Sequence, residues 1–274
     1  MGIQSVHRAL DILSLFSAAQ PRLGITEISN VLGLPKATVH GLVRTLVQRG
    51  FLYQDIETRK YRLGLTIYEL GTILAGTLKI NQVGAGPAHR LAQNTRQMVR
   101  VAIWDHDAIL VTLNLFPQSQ AVRFHQLGPR VPAYCSALGK AILAWLATED
   151  LAGYLNRTHL SEYTAHTITD RKRLLHDLEQ TRRQGYAVDR EECLVGLACI
   201  GAPVFDHTGR PTASISISGA PELLQDKNLS SILLELIDAA GEISRSMGYL
   251  PEAVHPQTQG VWGSGTKSFE FLKP

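Results

Sequence analysis

Two short apolar stripes at helical spacing, parted by a glycine break, open residues 25–64 and constrain this chain more than any other feature. The stretch reads ITEISNVLGLPKATVHGLVRTLVQRGFLYQDIETRKYRLG. Ile25, Ile28, Val31 and Leu32 predict a first helix, which Gly33-Leu34 ends. Pro35 fits a first helical position, where its missing N–H would be unpaired anyway. Val39, Leu42, Val43 and Leu46 mark the stripe of a second helix. Lys36, Thr38, His40, Arg44, Thr45 and Gln48 occupy its other face. A short basic face on a helix set against another by a tight turn is what a helix-turn-helix requires. Its first residues reach base edges, and its cations meet phosphate.

The next residues extend that module. Phe51-Leu52-Tyr53 and Tyr61-Arg62-Leu63 are β-type runs around the polar turn 55–60. They read as a hairpin with Arg59 and Lys60 at its tip, the wing of a winged helix. A helix pair and hairpin that bind nothing is the bland alternative. Residues 1–64 hold eight Lys/Arg and four Asp/Glu, a net +4, whereas the whole chain carries +3. The remaining residues therefore total −1, and the basic excess is confined to the segment expected to meet DNA.

The 274 residues suffice for two domains. No apolar run reaches the roughly 18 residues of a membrane span, and MGIQSVHRALDILSLF is an amphipathic helix rather than a secretory signal. Cys135, Cys193 and Cys199 have neither zinc spacing nor an even disulfide framework. We expect a cytoplasmic location, no metal and no cofactor.

Residues 65–80 predict a linker helix. Beyond them we expect a helix over 87–96 and strands over 98–104, 108–113 and 121–124. Helices over 136–146 and 169–184, strands over 198–205 and 213–218, and a closing helix over 229–247 follow. Strands mixed with flanking helices imply an α+β domain with an antiparallel sheet.

Several separated stretches resemble one family. Ser5-Val-His-Arg-Ala-Leu-Asp-Ile-Leu, Leu34-Pro35-Lys36-Ala37-Thr38-Val39-His40 and Tyr61-Arg62-Leu63-Gly64 are similar to the IclR family of bacterial transcription regulators. So are Ser136-Ala-Leu-Gly-Lys-Ala141, Gly185-Tyr-Ala-Val-Asp-Arg-Glu-Glu192 and Ala213-Ser-Ile-Ser-Ile-Ser-Gly219. The resemblance runs from about residue 3 to 250. It implies a winged helix over 1–64, a linker helix over 65–80 and a GAF-like effector domain over 81–250; residues 251–274 lie beyond the pattern, and their Pro and Gly content without periodicity predicts a mobile tail. It also implies a homodimer or a dimer of dimers. Ala37 and Gly41 depart from the family's usual Ser and Arg.

The effector site is expected around residues 136–139. Ser136 would cap a helix that Ala137, Leu138 and Gly139 open, offering free N–H groups to an anion. Gly139 would let a ligand approach the backbone. Ser216 and Ser218 share one face of a strand by period two. Leu197 and Cys199 would wall the pocket, and Asp189 would bind an effector hydroxyl or amine. The resemblance places Ala137, Leu138, Asp189, Leu197, Cys199, Ser216 and Ser218 in the pocket. The expected protein is a ligand-responsive regulator that binds operator DNA through Lys36, Thr38, His40, Arg44, Thr45, Arg59 and Lys60. A repressor relieved by a small anionic metabolite is the leading reading, and an activator the alternative. An enzyme is a remote one: Cys199 or Cys135 with a histidine, or Asp189 with Glu191, could form a reactive pair, but no GxSxG or phosphate loop accompanies them. A purely architectural DNA-binding protein would not need the second domain.

Overall fold

The computed structural model describes residues 2–117, 129–225 and 227–250. Two compact units meet in sequence between Leu78 and Lys79.

In the first unit, α1 (Gln4–Ser14) and α2 (Ile25–Leu32) pack on α3 (Lys36–Gln48). Ile12, Leu23, Ile28, Val39, Val43, Leu46, Leu52 and Tyr61 form its core. Gly33 ends α2 at φ +63°, a left-handed position that only glycine adopts at little cost. Pro35 caps α3 from outside rather than occupying its first turn. Val31 departs from its expected stripe and is 65% exposed. The wing is the antiparallel pair β1 (Leu52–Gln54) and β2 (Tyr61–Leu63). Leu23 and Tyr61 exchange backbone hydrogen bonds of 3.0 and 2.7 Å, tying the wing to the segment before α2.

The helix α4 (Leu65–Thr77) ends at Leu78, which is extended. A second helix, α5 (Lys79–Thr95), begins at once and opens the second unit. The expected start near Pro87 is therefore wrong by two turns. Pro87 removes one helical hydrogen bond, yet Ile80, Gly84, Pro87, Ala88, Leu91 and Ala92 form one buried face that holds the helix through it.

A six-stranded antiparallel sheet organises the second unit, in the order β5-β4-β3-β8-β7-β6. Its strands are β3 (Met98–Asp105), β4 (Ala108–Leu115), β5 (Arg130–Pro132), β6 (Ala187–Arg190), β7 (Ala198–Phe205) and β8 (Pro211–Gly219). The expected strand over 121–124 and the tail over 251–274 lie outside the described residues. Helices α5 and α9 (Leu229–Ser246) cover one face, while α6 (Ala137–Leu143), backed by α8 (Arg171–Gln184), covers the other. Neither β6 nor α7 (Thr148–Arg157) was expected from sequence. Both faces of β7 are buried, so its run ACIGAPVF carries no alternation.

Candidate functional site

The first unit presents one polar helix face. Lys36, His40, Arg44 and Thr45 are exposed on α3, and Thr38 is half-buried. The Thr45 hydroxyl donates to the Gly41 carbonyl at 3.1 Å, one turn back along the helix. Nothing stands within contact distance of a side chain placed at Gly41, so the departure there leaves an open surface. In the wing, Asp55 accepts backbone hydrogen bonds from Glu57 and Thr58 at 3.1 and 2.9 Å, which shapes the turn and leaves Arg59 exposed beyond it.

Lys60 differs from Arg59. Its ammonium donates to Glu27 at 2.8 Å, and the second Glu27 oxygen accepts from the Gly24 N–H that opens α2. These bonds, Lys60 first, hold the Glu27 carboxyl below its usual pKa. Lys60 thus braces the wing against α2, a role its place in the sequence did not reveal.

The second unit holds a cavity between α6 and the sheet. Arg100, Val131, Ser136, Ala137, Leu138, Asp189, Cys193, Leu197, Cys199 and Ser216 line it. Strand register explains the set. Arg100, Ser216 and Gly201 stand opposite one another on β3, β8 and β7, and Ser218, Cys199 and Asp189 do so on β8, β7 and β6. Period two places both rows on the face toward α6. A side chain at Gly201 would strike the Ala137 carbonyl, so its absence brings α6 close to the sheet. Water finds only about 10 Å³ inside, room for about one molecule.

Ser136 behaves as expected of a cap. Its hydroxyl accepts from the Gly139 N–H at 3.1 Å and donates to the Pro132 carbonyl at 2.8 Å. The Gly139 amide is therefore already engaged. A side chain at Gly139 would collide with the backbone of Ala133, so this glycine allows the chain to cross itself and stands behind the cavity wall. Ser218 is likewise buried beside the lining without belonging to it.

Charge inside the domain is arranged around Asp189 and around groups the sequence did not flag. Lys140 is fully buried and pairs with Glu192 at 2.6 Å and Asp177 at 2.9 Å. Burial works against its ammonium, but the two carboxylates outweigh it and raise its pKa. Asp189 accepts the Glu192 backbone N–H at 2.7 Å. Burial pushes its carboxyl up to about 7, against the opposing pull of that hydrogen bond. Arg100 is 5% exposed in the middle of β3. A lone arginine inside MVRVAIW was the available signal, since a charge in an apolar run is buried only for a reason. Cys135 and Cys193 lie with their sulfurs 3.0 Å apart, and all three cysteines are free and buried. Burial raises the Cys199 thiol to about 12, which suits a wall and not a nucleophile.

Comparisons with known proteins agree for both units. The IclR helix-turn-helix domain matches residues 5–55, and the bacterial transcriptional regulator IclR C-terminal domain matches residues 74–245. The HTH-type transcriptional regulator XynR of Escherichia coli strain K12 is 35% identical over 247 residues, covering 90% of this chain and 98% of that protein. The HTH-type transcriptional repressor AllR of Salmonella typhimurium is 34% identical over 252 residues, covering 91% and 92%. Among solved structures, a transcriptional regulator from Alicyclobacillus acidocaldarius aligns with TM-score 0.80 at 25% identity, covering 90% of this chain and all of that one. An IclR homologue from Microbacterium hydrocarbonoxydans, complexed with 4-hydroxybenzoate, aligns with TM-score 0.75 at 23% identity, covering 89% and 99%. With one family matched on both sides of the linker, the chain belongs to the IclR family: it is a ligand-responsive, DNA-binding transcription regulator.

Proposed function

We propose that this regulator is a repressor released by a small anionic effector bound in the cavity under α6. The buried cavity of the second unit, with Ser216 in its wall and no hydrogen-bond partner for that hydroxyl among the described residues, carries the reading. Ser136, Ala137, Leu138, Asp189, Leu197, Cys199 and Ser216 contact the effector, and Gly139 and Ser218 support them from behind. AllR is named a repressor, and the Microbacterium homologue holds an aromatic carboxylate, which favours the same sign and the same ligand charge here.

On DNA, Lys36, Thr38, His40, Arg44 and Thr45 of α3 enter the major groove, while Arg59 and Lys60 follow the backbone. Two copies read a near-palindromic site in the cytoplasm, their half-sites about 10 bp apart or a multiple of it. The effector acts only through its different affinity for DNA-competent and incompetent arrangements. Such a protein turns no substrate over.

Footprinting on the DNA upstream of its own gene, with and without a panel of organic acids, tests this. A symmetric footprint that one acid abolishes is expected, and Ser216→Ala should raise the acid concentration required about ten-fold or more. A footprint that the acid strengthens would make the protein an activator or co-repressed. Normal release of Ser216→Ala would place the effector elsewhere.

A further inference from the structure

Arg100 poses a problem that the cavity solves. It lies mid-strand between Val99 and Val101, both fully buried. Its guanidinium makes no ion pair or hydrogen bond among the described residues, and its Nε is buried without a partner. Burying an ion without a partner is strongly unfavourable, and buried charges are ordinarily paired. Asp189 lines the same cavity. Its carboxyl is pushed up to about 7 by burial, so near neutrality it is only partly ionised and offsets the arginine's charge only in part. Across the strand pair stands Ser216, whose hydroxyl is also buried and unpartnered. An unmet cation, an unmet hydroxyl and a partly protonated acid therefore converge on one space.

We propose that Arg100 is the anion anchor of this cavity: its guanidinium pairs with the carboxylate of a short-chain monocarboxylate effector, and Ser216 donates a second hydrogen bond to the same group. This deepens the effector reading and rests on it. The planar fork of arginine matches the two oxygens of a carboxylate. One buried cation neutralises one carboxylate and leaves a second without a counter-charge, so a monocarboxylate is favoured over a dicarboxylate. Protonated Asp189 can donate to a hydroxyl or oxo group next to the carboxylate. The present space admits about one water, which favours acids of few carbons and requires the wall to yield as they enter.

The test uses the full chain in titration calorimetry and thermal melting. The probes are acetate, propionate, glycolate, lactate and pyruvate, the corresponding amides, malonate, and inorganic phosphate. At least one monocarboxylate should bind, and its amide and malonate should not. Arg100→Gln should weaken that acid about 10- to 100-fold, the range for losing hydrogen bonds between charged groups. Arg100→Lys should fall between. Without any acid, Arg100→Met should melt no lower than wild type, because it removes an unpaired buried charge. An arginine with a purely structural role would melt lower on that change. If Arg100→Gln binds the acid as wild type does while Ser216→Ala does not, the anchor is overturned and the cavity reading stands. Equal binding of acid and amide, or binding of phosphate alone, also overturns the anchor. If no monocarboxylate binds wild type, the anchor is overturned. If a monocarboxylate binds and neither Arg100→Gln nor Ser216→Ala affects it, the cavity reading falls with the anchor.

Discussion

Asp189 and Lys140 show how strongly burial governs single residues in the effector domain. Asp189 has its carboxyl raised to about 7, against 3.8 for an ordinary aspartate. A raised folded-state pKa means that the native state holds its proton more tightly than the unfolded chain. Its stabilising effect is therefore complete below about 4 and is lost as pH climbs through about 7. Asp189→Asn keeps an acceptor for the Glu192 N–H but cannot ionise. Its melting temperature should gain on wild type as pH moves from 5 to 8, and a constant difference across that range would refute the buried-acid account. Lys140 is the opposite case, a charge already paired. Removing it strands the carboxylate of Glu192, which is itself buried. Lys140→Met should lower unfolding stability by about 3–5 kcal/mol in urea titrations, the usual effect of leaving one buried ion alone. A loss below about 1 kcal/mol would mean that water reaches Glu192.

At the scale of elements, the wing depends on a contact remote in sequence and the helix α6 on a close approach to the chain just before it. Lys60 and Glu27 are 33 residues apart, and their ion pair joins the wing to the start of α2. Arg59 has no such bond to the protein among those described, so it is the freer cation for phosphate. Arg59→Ala should flatten the log-log salt dependence of operator binding by about one unit. Lys60→Ala should flatten it less, and should leave the melting temperature of the domain almost unchanged, since both partners are partly exposed. Equal slopes for the two variants would mean that Lys60 leaves Glu27 when DNA arrives. For α6, the anchor is Gly139 against Ala133. Spacing alone does not distinguish a glycine that admits a ligand from one that admits the chain's own backbone, and here it is the backbone of Ala133.

For the whole molecule, what local pattern decides was legible in the sequence. The helix pair, the wing, the strands β3, β4, β7 and β8 and the closing helix α9 follow from period, turn residues and caps, which act within a few residues. The register of Ser216 and Ser218 toward one face is also a local fact. Among the elements that went unread or misplaced are two whose identity depends on a neighbour. The four-residue β6 is a strand because Asp189 and Val188 pair with Cys199 and Ile200, and α5 runs through Pro87 because its buried face outweighs a lost hydrogen bond. The site divides in the same way. Sequence supplied most of the cavity wall, but Arg100 joined it only when antiparallel pairing set β3 beside β8. Burial then turned ordinary residues into unusual ones, because the cost of a charge depends on whether the fold leaves it water or a partner. Local pattern sets which segments become helices and strands and which side chains share a face. Long-range packing sets which of those faces lose their water, and so which charges are left for a ligand to meet.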